Sequence, residues 1–528
     1  MTARYSVIIV GAGPTGLVLA NLLGKTGRSV LLLEANCATV SEPRAVSIDD
    51  ESLRVIQQIG LIDEVESEIV PGYGSEYLGP GRSIFLKVKP RAEPYGYPRR
   101  NAFRQPILEA QLRGGLSRFA NVQTLFECRA ESFVEEIDGV LLQLRRSDGT
   151  PEEVRCDYLV GCDGSSSTIR KALGYALAGS SLEERWLIID LENAPADSPE
   201  TVVYCDPRRP GIMLPGPRGT RRYEFKLLPG ETDQALLADE TIAQLLRTHG
   251  GSWESLVIRK AVYHFHARIA DHWGRGRVWL AGDAAHLMPP FAGQGMNSGI
   301  RDAANLAWKL DAVLAGRIGR GLLETYECER RGHVKSMIQL ALRMGTIFAP
   351  SSPLHGWAVR NSLRLLGLWP AAKSYFAEMK YKPAPRFDGG FLLRSQLSMR
   401  GIVGCLLPQP RLCNGLSGVK LDDALGHRFT LLGVDVDPTR LKNLTLGGRW
   451  DGLIDCRLAL ASNDVPDFKA HTGKLMLVRP DRYVMARFAL EEGTHFASQI
   501  ADLLASTWPS AGACATTSTS ATAFHRSA

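Results

Sequence analysis

Three glycines near the start of the chain have the spacing that binding of a dinucleotide pyrophosphate requires. Gly11, Gly13 and Gly16 follow a strongly apolar run and open a segment that reads as a helix. The first glycine permits a tight turn, the second lets a pyrophosphate approach the backbone, and the third lets the helix lie close to a sheet. Pro14 fits the first helical position, where free amides and the helix dipole attract an anion. The sequence therefore predicts phosphate binding at this turn.

Three polar side chains further along are candidates for binding the rest of such a ligand. Glu34 ends the next apolar run, about 20 residues after the glycines, where a carboxylate binds the ribose of a dinucleotide. Arg44 lies a short loop beyond Glu34 and is placed to pair with a phosphate, although a solvated loop charge is the alternative. Gln105 stands just before a helix that begins near Pro106, where its side-chain amide can reach a heterocycle.

Two acids and a second glycine-rich turn complete the set of candidate ligand-binding residues. Asp163 and Asp283 each follow a buried strand, and the carboxyl ends of parallel strands face the ligand crevice of an open sheet. The helix that starts after Gly293 offers free backbone amides to an electron-rich group. Its first residues are Gly295, Met296 and Asn297, and its predicted apolar face is Ile300, Ala303, Ala307 and Leu310.

The elements that must position these residues indicate an α/β chain built around a Rossmann-like parallel sheet. Between residues 181 and 275 the chain changes to strand-rich segments, which we interpret as an inserted antiparallel sheet. The buried strands of the parallel sheet are predicted at 7–10, 30–33, 158–161 and 277–281, and those of the insertion at 186–190, 201–205, 222–227 and 262–267.

The domain organisation follows from these changes of pattern. A small C-terminal domain is predicted to be thioredoxin-like, and because it has no CxxC pair we expect no redox role for it. The final residues have few large apolar groups and are predicted to be disordered. The predicted parts are 1–180 and 276–390 for the two halves of the dinucleotide-binding domain, 181–275 for the inserted sheet, 391–505 for the C-terminal domain and 506–528 for the tail.

Composition excludes several other classes. The 528 residues are too many for one core, and 45% hydrophobic with 22% charged residues is ordinary for a globular protein. A net charge of +6 without a basic block gives no reason to expect nucleic acid. The ten cysteines are scattered, so we expect no metal site and no disulfide framework. Reduced thiols and the lack of a membrane-spanning apolar run favour a cytoplasmic protein that does not bind a membrane.

Three of these segments resemble the flavin motifs of a known family. GAGPTG at 11–16, CDG at 162–164 and GDAAHLMPPFAGQGMNSG at 282–299 are similar to those of the class A FAD-dependent aromatic-ring monooxygenases. Further stretches, among them PRAVSIDDESLR at 43–54 and RRYEFKLLPGE at 221–231, resemble the branch that contains 3-(3-hydroxyphenyl)propionate hydroxylase. The resemblance implies an FAD-binding domain with an inserted substrate-binding sheet.

The resemblance also implies a role for each candidate residue. The glycine turn would hold the FAD pyrophosphate and Glu34 the adenosine ribose, while Arg44 and Gln105 flank the cofactor. Asp163 would contact both FAD and the passing NADH or NADPH. Asp283 would lie at the ribityl and pyrophosphate region. Pro290 and the helix start from Gly293 to Asn297 would frame the flavin ring, where a helix amino terminus stabilises the negative charge of reduced flavin.

The implied reaction has two stages. NADH or NADPH reduces FAD, and a flavin C4a-hydroperoxide formed with O2 then transfers one oxygen atom to a phenolic ring. His264 and His266 share one face of a predicted strand and are candidate bases for the phenol, although a structural role is the alternative for each. Pro290, Phe291 and Ala292 replace bulkier residues of the branch, so the substrate pocket is expected to differ in shape.

Other functions stay open at this point. A flavin halogenase, a non-oxygenating reductase or a flavin-binding protein without turnover fits the same motifs, although the lack of a WxWxIP stretch speaks against the halogenase. The expected partners are a small phenolic substrate and O2. The sequence does not choose between NADH and NADPH or between a monomer and a homodimer.

Overall fold

The computed structural model describes residues 3–40, 42–194, 198–252, 255–350, 352–398, 401–412 and 418–507. These residues form a mixed α/β structure with four sheets. The predicted disordered tail lies outside the described residues from position 508 onward. Among the described helices, none combines the length and the apolar character that crossing a membrane requires.

The first sheet contains the predicted parallel strands. Val7 pairs in parallel with Val30 on one side and with Tyr158 on the other, and Leu159 pairs in parallel with Val278. These side chains are buried, as expected for a sheet covered on both faces. The strands in spatial order are Gly274–Arg275, Val278–Leu280, Pro151–Gly161, Arg4–Val10, Val30–Leu33 and Val122–Leu125. Val140–Arg146 also pairs antiparallel with Pro151–Gly161, and Cys128–Glu135 pairs antiparallel with Val140–Arg146.

Two helices of the first sheet's layer meet at a point where only glycine fits. A Cβ built on Gly299 would lie 2.2 Å from Thr15 Oγ1, and one built on Gly282 would lie 2.5 Å from the same atom. This contact holds the start of Pro14–Lys25 against Gly295–Leu314. The other helices before residue 390 are Asp50–Ile59, Ile62–Glu66, Gln105–Gly115, Thr168–Ala172, Asp233–Leu236, Asp239–Thr248, Gly321–Phe348, Pro353–Leu366 and Pro370–Ala377.

The second sheet has eight strands and extends beyond the predicted insertion. Ser75–Leu78 pairs in parallel with Thr201–Tyr204, a long-range contact that no local pattern in the sequence reveals. The sheet also takes Ile84–Val88 from before the predicted segment and His286–Leu287 from after it. Its strands in order are His286–Leu287, Leu256–Ala270, Leu177–Glu192, Arg221–Lys226, Gly211–Pro215, Thr201–Tyr204, Ser75–Leu78 and Ile84–Val88.

The two faces of this sheet differ in character. On one face Leu187, Ile189 and Phe225 pack against the apolar side of helix Asp239–Thr248, and we call this the covered face. The other face turns towards the first sheet, and we call it the cleft face. From the register and ring contacts, its residues include Trp186, Ile188, Asp190, Arg222, Glu224, Arg259, Tyr263 and Phe265.

The C-terminal part has its own sheet and is joined to the rest by buried ion pairs. Arg54 lies 2.6 Å from Asp422 and Arg479 lies 2.8 Å from Glu329. The strands in order are Ile454–Leu460, Phe429–Val434, Lys474–Val478 and Val484–Ala489, and the helices are Leu421–Ala424, Pro438–Asn443, Arg449–Leu453 and Gly493–Ala505. The thioredoxin-like assignment and the domain bounds stay predictions.

A small three-stranded sheet links the loop after Glu34 to the segment before Gln105. Its strands are Ser47–Ile48, Asn101–Ala102 and Val70–Pro71. Because this sheet lies between two predicted site segments, it fixes their distance from each other.

Candidate cofactor and substrate site

The glycine turn has the geometry that the sequence predicted. Gly11 has φ of +106°, donates its amide to Leu33 O at 2.7 Å and leaves no room for a side chain beside Cys162. A Cβ built on Gly16 would lie 2.0 Å from Gly11 O, whereas one built on Gly13 would meet no protein atom within 4 Å. The turn is therefore tight on the protein side and open where a pyrophosphate would lie.

Glu34 directly follows strand Val30–Leu33, and its carboxylate forms a hydrogen bond with the glycine turn. Its Oε2 accepts the Ala12 amide at 2.9 Å, and its Oε1 accepts the Asn36 amide at 3.0 Å. The carboxylate is half-buried. It is thus next to the glycine turn, where the sequence predicted a ribose ligand.

Asp163 and Asp283 lie at the ends of two neighbouring strands but in different environments. Asp163 Oδ2 accepts the Thr168 amide at 2.7 Å and the Ile169 amide at 3.2 Å, while its Oδ1 is buried without a partner among the described residues. Asp283 forms no hydrogen bond within the described chain, and its side chain is exposed. The surrounding protein raises the pKa of Asp283 by desolvation, an effect that Arg44 and His286 oppose. Hydrogen bonds donated by hydroxyl groups would stabilise the charged form of such a carboxylate.

A buried network behind Asp283 was missed by the sequence analysis. Asp302 Oδ2 lies 2.6 Å from His286 Nε2 and accepts the Gly282 amide at 3.2 Å, and Asp302 Oδ1 accepts Arg330 Nε at 2.8 Å. Burial raises the pKa of Asp302, but His286 and Arg330 outweigh it and hold that pKa below its usual value. The network fixes the turn that carries Asp283. His286 inside the motif GDAAH was the available signal.

The second glycine-rich turn is clamped by Asn297. Asn297 Oδ1 accepts the Asp49 amide at 3.1 Å and Ser52 Oγ at 2.8 Å, and its Nδ2 donates to Gly293 O at 2.7 Å and Ser47 O at 3.1 Å. Its side chain is therefore fully used within the protein. The first backbone amides of helix Gly295–Leu314, including that of Met296, remain free. Pro290 lies one short turn before this helix.

Arg44 and Gln105 lie together at the loop after Glu34. Gln105 Oε1 accepts the amides of Ala45 at 2.7 Å and Arg44 at 3.2 Å, and its Nε2 donates to Glu109 at 2.8 Å. Gln105 is thus buried and orients the loop, while the Arg44 side chain is exposed.

We call the glycine turn, Glu34, Asp163, Asp283 and the 293–297 turn the cofactor edge.

The histidines predicted as bases lie on the side of the second sheet away from the cofactor edge. His264 is opposite Arg185 in the register, on the covered face, and its side chain is exposed. His266 Nδ1 lies 2.9 Å from Ser181 Oγ, and burial together with the Arg268 charge lowers the pKa of His266. The structure does not bring either side chain together with Asp283 or the 293–297 turn.

The cleft face carries groups that no motif indicated. Phe291, in the turn before Gly293, packs against Trp186 with ring centroids 5.4 Å apart and against Phe265 at 5.6 Å. Glu224 is buried on the same face and forms no hydrogen bond among the described residues, with Arg222 Nη1 3.9 Å from its Oε1. Burial raises the pKa of Glu224.

Arg222 connects this face to the loop that carries Arg44. It lies 2.7 Å from Asp190 and donates to Arg44 O at 2.7 Å. These side chains come from three distant segments, so sequence spacing could not reveal them.

The residues present fit FAD. Gly13 leaves open space that a Cβ would fill, and the helix start at Gly295 also has no protein atom within 4 Å of a built Cβ. Asp283 offers an exposed carboxylate without a hydrogen-bond partner among the described residues. An anion, hydroxyl groups and an electron-rich ring are the groups that these three features recognise.

Comparisons with known proteins give the same result. A family model described as FAD binding domain matches residues 4–341, and one described as HcaD C-terminal domain matches 404–503. Two relatives are named 3-(3-hydroxy-phenyl)propionate/3-hydroxycinnamic acid hydroxylase. The one from Klebsiella pneumoniae is 38% identical over 505 residues and the one from Escherichia coli K12 is 37% identical over 504 residues, each covering 91% of both chains.

Solved structures agree on the fold. The flavin-dependent monooxygenase PieE, in complex with FAD and substrate, superimposes with a TM-score of 0.82 at 22% identity, covering 95% of this chain and 99% of that one. OxyS anhydrotetracycline hydroxylase from Streptomyces rimosus has a TM-score of 0.73 at 26% identity, with coverage of 95% and 99%. The chain therefore belongs to the FAD-dependent aromatic-ring monooxygenases and is an enzyme of that family with FAD as its cofactor.

Proposed function

We propose that this enzyme hydroxylates a phenolic substrate, using NADH or NADPH and O2. The supporting observation is the meeting of the cofactor edge with the cleft face. Phe291 joins the flavin-framing turn to Trp186 and Phe265, so an aromatic ring bound there would lie against other rings and next to the flavin. The names of the relatives point to a phenol as well.

Bound FAD supplies the hydride acceptor and the activation of O2. The protein's own tasks are to orient the ring, to exclude water and to manage charge. Amides at the start of helix Gly295–Leu314 would stabilise negative charge on the flavin, and the buried rings of Trp186 and Phe265 would keep water from the reacting face.

Removal of the phenol proton is the remaining task. His264 and His266 stay candidates from the sequence, and Glu224 joins them because it is buried on the cleft face, lacks a hydrogen bond and has a raised pKa. A base whose pKa lies nearer to the working pH transfers protons more effectively.

The test is a panel of phenols incubated with the FAD-loaded enzyme, NADH or NADPH, and isotope-labelled O2. The proposal expects one phenol to accelerate NAD(P)H oxidation and to yield a product with one labelled oxygen atom. Oxidation without a product would indicate a reductase. A product that appears only when halide is added would indicate a halogenase. No phenol-dependent oxidation with any panel member would indicate a flavin-binding protein without turnover.

A further inference from the structure

Arg100 is half-buried, and the surroundings of its guanidinium differ from those of most buried arginines of this protein. Arg54, Arg222, Arg301 and Arg479 each have a carboxylate oxygen within 2.8 Å. Among the described residues, no carboxylate lies within salt-bridge distance of Arg100.

The partners of Arg100 are hydroxyl groups and an aromatic ring. Its Nη1 donates to Ser75 Oγ, its Nη2 donates to Tyr73 OH at 3.2 Å, and its Cζ lies 4.4 Å from the centre of the Tyr73 ring. Tyr73 and Ser75 are buried, and Tyr77 and Tyr381 lie close enough to interact electrostatically with Arg100. A guanidinium whose partners are neutral hydroxyls can still pair with an anionic ligand, because no protein carboxylate is paired with its charge.

The location connects this cation to the site of chemistry. Tyr73 OH donates to Ser47 Oγ at 2.7 Å, and a Cβ built on Gly293 would lie 3.4 Å from Ser47 Cβ. Arg100 is therefore separated by two side chains from the turn that frames the flavin. An aromatic wall lies alongside, in which Phe348 contacts Tyr77 at 5.6 Å and Phe291 at 5.9 Å between ring centroids.

We propose that Arg100, with the hydroxyls of Tyr73 and Ser75, binds the carboxylate of a phenolic acid whose ring lies against Phe291. This rests on the proposed function and narrows its substrate class to phenols with an acidic side chain. The guanidinium offers two parallel donors to a carboxylate, and the hydroxyls offer further donors once they rotate. The phenol ring then points to the flavin and the acid points away from it.

The experiment compares an acid with its neutral counterpart. Arg100→Gln and Arg100→Lys are measured with 3-(3-hydroxyphenyl)propionate and with the matching alcohol, 3-(3-hydroxyphenyl)propan-1-ol. We expect Arg100→Gln to raise KM for the acid by about 30-fold or more while KM for the alcohol changes by less than about two-fold. Arg100→Lys should restore part of the affinity for the acid, because it keeps the charge but not the fork.

Arg209→Gln is the matched control, since Arg209 is also half-buried but is paired with Glu231 at 2.5 Å. It should leave the KM ratio of acid to alcohol unchanged. Equal changes for acid and alcohol in Arg100→Gln, or no change for either, would overturn the proposal.

Binding is also read without turnover, by titrating the flavin absorbance of the FAD-loaded enzyme with each compound. If no phenol is hydroxylated, the proposed function fails, yet an acid that perturbs the parent flavin and not that of Arg100→Gln would still support carboxylate binding. An acid that perturbs both flavins with equal affinity would refute it. FAD content and Tm of each variant identify a protein that has lost its fold. If Arg100→Gln is such a protein, the comparison of Arg100→Lys with the parent tests the proposal.

Discussion

The cofactor edge and the cleft face are built in opposite ways. The cofactor edge uses short segments in which neighbouring residues act together, such as Gly11 to Gly16, and its acids follow directly after strands. The cleft face collects side chains from three separate strands, with Asp190, Arg222 and Arg259 meeting across the sheet. One region is fixed by the backbone, and the other by side chains that only the folded chain brings together.

Because of this difference, the two regions should differ in which substitutions they tolerate. At Gly11 and Gly16 of the cofactor edge a single added methyl group meets backbone atoms that would have to move. On the cleft face a change of charge leaves the backbone intact and alters the proton and substrate chemistry. Substitutions in the two regions should therefore fail in different assays.

The largest effect is expected for Gly16→Ala. Its Cβ would lie 2.0 Å from Gly11 O, so the turn or the helix must move, and we expect a loss of more than about 4 kcal/mol in the free energy of unfolding. Gly114→Ala is the control, because a Cβ there meets nothing within 4 Å and alanine favours the helix. Urea unfolding and FAD content measure both. A Gly16→Ala protein that holds FAD like the parent would show that the turn is not rigid.

Asp302→Asn tests the buried network that supports the cofactor edge. Removing the charge leaves His286 and Arg330 without their shared carboxylate, and we expect a cost of about 3 to 4 kcal/mol. The pKa of Asp302 is lowered in the fold, so this stability is present above the ordinary aspartate pKa and is lost as the pH falls through the folded value.

The control for this charge is Asp206→Asn, whose partner Arg208 is exposed, and which should cost less than about 1 kcal/mol. Thermal unfolding at a series of pH values makes the comparison. Equal losses for the two variants would mean that burial of the network contributes nothing.

Glu224→Gln moves the test to the cleft face. If Glu224 removes the phenol proton, we expect kcat to fall about 100-fold with FAD content and Tm unchanged. Because the pKa of Glu224 is raised above its usual value, the rate of the parent should increase as the pH rises through that value, and the variant should lack this increase. A pH profile of kcat decides the point, and a variant with the parent's profile would remove Glu224 from the reaction.

How far the sequence could predict the structure follows the same division. The glycine turn, strands 7–10 and 30–33 and the acids at strand ends were predictable because their signals are local. The strand Ser75–Leu78 and the buried Glu224 were not, because pairing with Thr201–Tyr204 and burial beneath a cleft are long-range events. Asp302 lay inside a helix with no pattern of its own.

The histidines show the limit of a correct local observation. Alternation along strand Leu256–Ala270 places His264 and His266 on one face, as predicted, and exposes the first of them. Which face meets the cofactor depends on how the sheet packs, and that information is not in the strand.

Asp283→Asn should have a smaller and two-sided effect. The variant should bind FAD more weakly by about 1 to 3 kcal/mol if Asp283 binds the cofactor as the sequence predicts, because that carboxylate is lost. The apoprotein should become more stable at neutral pH, since desolvation raises the pKa of Asp283 and the charged form is disfavoured in the fold. That gain should vanish as the pH falls below the ordinary aspartate pKa, where both states are neutral. Tm of apo and FAD-loaded protein against pH measures both parts, and an apoprotein that loses stability would contradict the account.

The smallest effect is expected for His266→Gln, and it asks whether the covered face takes part in the reaction. His266 lies beside Ser181 on the side of the sheet away from Phe265, and burial together with the Arg268 charge lowers its pKa. If it does not touch the substrate, kcat should change by less than about two-fold, because no interaction with the transition state is removed. A base in contact with the phenol would instead cost about 100-fold or more. Measured beside Glu224→Gln with the same phenol, the pair of variants assigns the proton transfer to one face of the sheet, and a large loss in His266→Gln alone would reverse the comparison between the two faces.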